Sequence, residues 1–126
     1  MGLVITVKDV EKSPSFRMGY GGFMMFRRAI VEAFDKNYGT DYNEKYFATC
    51  IGTGKMGKTI EQWKVLSCFL FHCDCDGYMS PKECDETLLG LLPIYDLIDE
   101  EYKEDMKNLR DVFMKCIELD KEAEFC

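Results

Sequence analysis

The stretch His72-Cys73-Asp74-Cys75-Asp76-Gly77-Tyr78-Met79-Ser80-Pro81-Lys82-Glu83 decides how the rest of the chain is read. A hard cation such as calcium takes six or more oxygens at long distances. A twelve-residue loop can wrap one by setting oxygen donors at alternate positions around a sharp central turn. Asp74 and Asp76 stand third and fifth, Gly77 supplies the turn, and Tyr78 offers a backbone carbonyl at the seventh place. Ser80 is ninth, and Glu83 is twelfth, where a carboxylate can ligate with both oxygens. The first place, which calls for an acid, holds His72, and imidazole suits softer metals better than calcium. The same residues also describe a plain corner, with Asp74 and Asp76 bonding backbone amides. Ser80 then caps the exit helix, with Pro81 in its first turn.

Helical patterns flank this loop. Trp63, Leu66 and Leu70 share a face in a helix that begins near Thr59 or Ile60 and ends at Phe71. Cys84, Leu88 and Leu91 mark a helix that leaves the loop and halts at Pro93. The sequence therefore predicts a helix-loop-helix over about residues 60–92. Upstream, Leu3 to Lys8 is rich in β-branched residues and reads as a strand. Gly19, Gly21 and Gly22 break the chain. Phe23, Phe26, Ile30 and Phe34 then predict a helix over about 23–36, with Met24 and Met25 assigned to its core and Asn37 and Gly39 as stop signals. Asp35, Asn37, Gly39 and Asp41 alternate but lack a central glycine and a final acid, so they read as a helix end and turn. Tyr46 to Ile51 reads as a second short strand. Downstream, Asp96 or Asp99 caps a last acidic helix, with Glu100 and Glu101 in its first turn. Its buried stripe is Ile98, Tyr102, Met106, Leu109, Phe113 and Ile117. The expected fold is mainly α with a small N-terminal β element, in a single domain over residues 1–126.

Composition bounds the function. With 126 residues, 47% hydrophobic and 13% aromatic, the chain can bury one core. Its net charge is −7, with +3 over residues 1–73 (ten Lys/Arg, seven Asp/Glu) and −10 over 74–126 (six and sixteen). That balance argues against nucleic-acid binding, which needs a basic footprint. The densest apolar stretch, Val65 to Phe71, is far short of a membrane span. Seven cysteines, an odd number, with no secretory pattern at Met1 to Ile5 predict reduced thiols in a cytoplasm.

The loop resembles the EF-hand loop, and that resemblance implies a calcium site ligated by Asp74, Asp76, Tyr78, Ser80 and Glu83, with His72 marginal. It also implies a site that is weak or empty, because the first acid is missing. More narrowly, the segment His72 to Pro81, with Cys84 beyond it, resembles small bacterial and phage proteins that carry a His-Ser-Asp-Cys-Asp-Gly motif. Gly21-Gly22-Phe23 and Phe26-Arg27-Arg28 match their helix start; Cys73 stands where they have serine. The likeness covers about a third of the chain and implies that histidine at the loop entrance is a shared feature. It supplies no activity.

Other motifs compete. Gly52-Thr53-Gly54-Lys55-Met56-Gly57-Lys58-Thr59 fits the phosphate-loop pattern, in which Gly52 and Gly57 cradle phosphates, Lys58 neutralises them and Thr59 holds magnesium. That fold needs several parallel strands, for which the remaining chain is short, and a glycine-rich surface loop is the plainer reading. Cys68, His72, Cys73, Cys75 and Cys84 suggest zinc by donor type, yet they lack the paired C-x2-C spacing of structural sites. Buried cysteines on apolar faces account for Cys50, Cys68 and Cys84 as well. His72 and Cys73 are adjacent and point apart, without an orienting third group, which argues against a nucleophile pair. Met1-Gly2 with Thr6 matches a myristoylation pattern on residues that read as a buried strand. Arg17, Arg27, Arg28, Lys55 and Lys58 are candidates for a modest basic patch, with an ordinary solvated face as the plainer reading. The sequence thus predicts a non-enzymatic metal-ion-binding or interaction module, with nucleotide and soft-metal binding as alternatives. A protein partner is compatible with it, and no oligomeric state is readable.

Overall fold

A computed structural model of the chain describes residues 2–44, 60–73 and 76–126. It is mostly helical, with one small antiparallel sheet. Leu3, Ile5 and Val7 are buried while their neighbours are half-exposed, so β1 (Gly2–Val7) has the two-residue alternation of a strand with one face on a core. It pairs with β2 (Ser15–Gly19), which places Ile5 opposite the fully buried Phe16.

α1 (Tyr20–Tyr38) follows directly and buries Phe23, Phe26, Ile30 and Phe34, as the sequence predicts. It starts before the glycines expected to break it. Gly21 and Gly22 fall in the first turn, where amides lack intrahelical partners in any case. Met24 and Met25, expected in the core, are exposed because they fall out of phase between Phe23 and Phe26. Gly39 ends the helix at φ 67°, in the left-handed region, with its amide on the Asp35 carbonyl at 2.8 Å. The Asp35 carboxylate accepts from the amides of Tyr42 and Asn43, so this stretch is a helix end and turn.

α2 (Glu61–Leu70) buries Trp63, Leu66, Phe69 and Leu70. After the loop come β3 (Tyr78–Met79) and α3 (Pro81–Leu91). Pro93 does end α3, although the chain continues as a 3-10 turn over Leu92–Leu97. Asp99 accepts from the Glu101 amide and caps a second such turn, Glu100–Tyr102, which leads into α4 (Lys103–Leu119). The buried stripe of α4 is Met106, Leu109, Val112, Phe113 and Cys116. Ile117, expected within it, is 37% exposed because the helix turns three residues, not four, past Phe113 to reach the core again. Asp120 closes α4 in the left-handed region, and β4 (Ala123–Phe125) follows.

β4 changes the expected architecture. The sheet runs β2-β1-β4-β3, all antiparallel, so the β element is assembled from both ends of the chain and from the loop. Edge-to-face contacts of Phe34 with Trp63, Phe23 with Phe69, and Phe69 with Phe113 tie α1, α2 and α4 into one core. Fully burying each such ring is worth on the order of 2 kcal/mol.

Candidate functional site

The loop between α2 and α3 is anchored from beneath by an arginine. The last carbonyls of a helix have no partner within it and carry its partial negative charge. Arg27 of α1, 95% buried, donates through one nitrogen to the carbonyls of Leu70 at 3.0 Å and His72 at 2.8 Å. Its guanidinium also lies over the Phe23 ring. The sequence suggested a surface basic patch for Arg27; the structure puts it in the core, holding the end of α2 where the loop begins. A cation at helical spacing on an apolar stripe was the one available signal of that role.

His72 then turns its ring back across the loop. Nδ1 lies 2.8 Å from the Cys73 carbonyl and Nε2 lies 3.1 Å from the Tyr78 carbonyl. Carbonyl oxygens only accept, so both bonds form together when both nitrogens carry hydrogen. The ring stacks on Phe125 of β4, centroids 3.9 Å apart. Gly77 makes the close crossing possible. Its φ is 98°, in the left-handed region, and a Cβ there would stand 3.2 Å from the His72 Cε1. The loop is also sewn to the C-terminus: the Phe125 amide donates to the Gly77 carbonyl at 3.0 Å, and Met79 stands opposite Ala123 in the β3–β4 ladder.

The exit of the loop closes as a capping box. The Ser80 hydroxyl accepts from the Glu83 amide at 3.1 Å, and the Glu83 carboxylate accepts from the Ser80 amide at 2.9 Å. The second carboxylate oxygen of Glu83 accepts from the Cys68 thiol at 2.9 Å. This thiol, the Ser80 bonds and the nearby imidazole hold the Glu83 carboxyl below its ordinary value, against a weaker opposing effect of burial. Burial foremost, then the bond to Glu83, pushes the Cys68 thiol up to about 12, so at neutral pH it donates and is not a thiolate. Cys84 is fully buried, and the Cys116 thiol beside it together with burial pushes Cys84 further up.

These contacts place the sequence-predicted donors one by one. His72 meets the Tyr78 carbonyl, and Ser80 meets Glu83, as two hydrogen-bonded pairs. The Tyr78 carbonyl faces His72, both oxygens of Glu83 are engaged, and Asp76 accepts from the Gly77 amide at 2.8 Å. Among the described residues no three His, Cys, Asp or Glu side chains converge as a metal site, by oxygen or by sulfur. Of the soft-metal set, Cys68 faces Glu83, Cys84 faces Cys116, and Cys73 is exposed. Asp74 and Cys75 lie outside the described residues, as do the strand expected at 46–51 and the whole phosphate-loop pattern with Gly52, Gly57, Lys58 and Thr59. No helix among the described residues is long and apolar enough to cross a membrane.

No protein-family model, curated protein or solved structure matches this chain.

A second feature lies on the far side of α3. A cavity of about 350 Å³ runs between α3 and α4, lined by Leu88, Leu91, Leu92, Met106, Met114 and Ile117, with Asp85 and Arg110 on its walls. Leu89, Leu92 and Met114 stand exposed around it. The sequence hinted at this face only through leucines and methionines that no single helical stripe absorbs.

Proposed function

We propose that this chain is a non-enzymatic interaction module built on an EF-hand-like helix-loop-helix whose loop has exchanged ion ligation for internal closure. One observation carries the reading: the His72 ring, standing where the first acid of such a loop belongs, reaches the Tyr78 carbonyl at the seventh position. Two donors that would face a cation thus face each other. The capping box adds to this by directing the twelfth-position carboxylate of Glu83 to Ser80 and Cys68. β3 occupies the part of the loop that in paired EF-hands joins the partner loop, and here β4 of the same chain pairs with it. The closed loop then acts as a joint that fixes α2, α3 and the C-terminal strand to one another. It leaves the outer faces of the helices as the working surface.

The calcium-loaded reading draws support from the positive φ of Gly77, at the turn position of such a loop, and from the alternating donors of the sequence. It needs Glu83 to leave both partners and the His72 ring to swing away. Calorimetry separates the two readings. The closed-loop reading expects no binding heat with calcium or magnesium up to about 1 mM, the weak end of such sites, and no change of melting temperature with chelator. His72→Asp, which supplies the first acid and removes the bridging ring, is expected to gain calcium heat. Saturable micromolar calcium binding by the unaltered chain, lost in Asp76→Ala, overturns internal closure.

A further inference from the structure

We infer that the α3–α4 face is a docking surface for a second copy of this chain, related to the first by a two-fold axis. A two-fold interface uses the same patch on both partners, so that patch must carry both halves of every complementary feature. This face does. Its socket is the 350 Å³ cavity between the helices. Its protrusions are the side chains of Leu92, 70% exposed, Leu89, 59%, and Met114, 54%. Contiguous exposed apolar residues around a cavity mark interaction sites on soluble domains.

The charges select the occupant. Asp85 on the α3 wall is exposed and makes no ion pair with the described residues. Among the described residues, Arg110 on the α4 wall has only its sequence neighbour Asp111, at 3.9 Å. One unpaired acid and one weakly held base on opposite walls are what two-fold pairing requires: Arg110 of each copy meets Asp85 of the other. Around them Lys82 pairs with Glu86, Lys107 with Asp111 and Lys115 with Glu118, and Lys103 sits on the carbonyl and ring of Tyr95. The face is therefore close to neutral although the chain carries −7, so two copies meet there without the repulsion that their net charges would bring elsewhere. A strongly basic or acidic partner finds no complementary field on this patch.

Sedimentation velocity across low to high micromolar concentration tests the proposal, with circular dichroism confirming that each variant is folded. The unaltered chain is expected to pass from monomer to dimer as concentration rises. Leu92→Glu, which puts a charge on the most exposed leucine, is expected to leave monomer throughout. Asp85→Arg sets two cations against each other and is expected to weaken the dimer about tenfold or more, as for close interfacial charge pairs. The double variant Asp85→Arg with Arg110→Asp exchanges the charges and is expected to restore it. A chain that stays monomeric at every concentration overturns the proposal and gives the face to a different partner. A dimer indifferent to Leu92→Glu places the contact elsewhere and overturns it too, and a charge swap that fails to rescue overturns the two-fold pairing. None of these outcomes depends on whether the loop takes calcium.

Discussion

The two sides of α3 differ in what they leave unsatisfied. At its N-terminal turn, several polar groups among the described residues have partners within the chain: Ser80 and Glu83 with each other, Glu83 also with Cys68, and the Tyr78 carbonyl with His72. Along its outer face toward α4, leucines and a methionine stand in solvent around an open cavity, and Asp85 lacks a counter-ion among the described residues. Unmet polar groups are costly when buried and inexpensive when wet, while exposed apolar area gains from being covered. A loop that attracts attention by its donors can therefore be the inert part of a molecule. The face with no motif is then the part with free energy left to gain.

That contrast breaks most visibly at Phe125. The ring is 2% exposed, stacks on His72, and its amide holds the Gly77 carbonyl. Phe125→Ala removes the stack and opens a cavity where β4 meets the loop, and large-to-small changes of this kind lose about 3–5 kcal/mol. Chemical denaturation is expected to show that loss, with hydrogen exchange rising at Gly77 to Met79. A loss under about 1 kcal/mol would mean that β4 does not brace the loop and that the loop closes by itself.

A smaller effect is expected at the capping box. Ser80→Ala leaves the Glu83 amide without its acceptor and is expected to destabilise by about 1 kcal/mol. The same box makes a pH signature. Because the folded Glu83 carboxyl is held below its ordinary value of 4.5, its contribution is fully present above that value and is lost as pH falls through the lowered folded value. Glu83→Gln should flatten that part of the acid stability profile. On the alkaline side, the Cys68 thiol contributes stability below its ordinary value of 9.0 that is lost as pH rises toward about 12, and Cys68→Ser, which removes the titrating thiol, should abolish this limb.

The helices and their core residues were legible because period and phase are local: Phe23, Phe26, Ile30 and Phe34 repeat at helical spacing, and Leu3, Ile5 and Val7 alternate. So was the cap of α3 by Ser80 with Pro81 in its first turn, although the sequence reading gave Glu83 to an ion and not to the capping box. β2 and β4 were not. Each has few residues and one or two buried side chains, and its identity as a strand comes from pairing with β1, a hairpin neighbour for β2 but a partner far away in sequence for β4. Arg27 misled for the same reason, because the carbonyls it satisfies belong to residues 43 and 45 positions later. In the loop, residue types alone gave the spacing of an ion site. They did not say where the His72 ring would turn, which depends on Gly77 making room and on Phe125 arriving from the chain's other end.

The smallest expected effect sharpens the comparison from the other side. Leu92→Ser removes an apolar side chain that is 70% exposed, so folding buries little of it and substitution should change unfolding free energy by no more than about 0.5 kcal/mol. The same change should reduce self-association, because the dimer is where that side chain leaves water. Phe125→Ala is expected to show the reverse pattern, a large loss of stability with the outer face of α3 unchanged in composition. If Leu92→Ser instead destabilised the isolated chain as much as a core substitution does, the outer face would be part of the folding core. The division between a self-satisfied loop and an unfinished face would then fail.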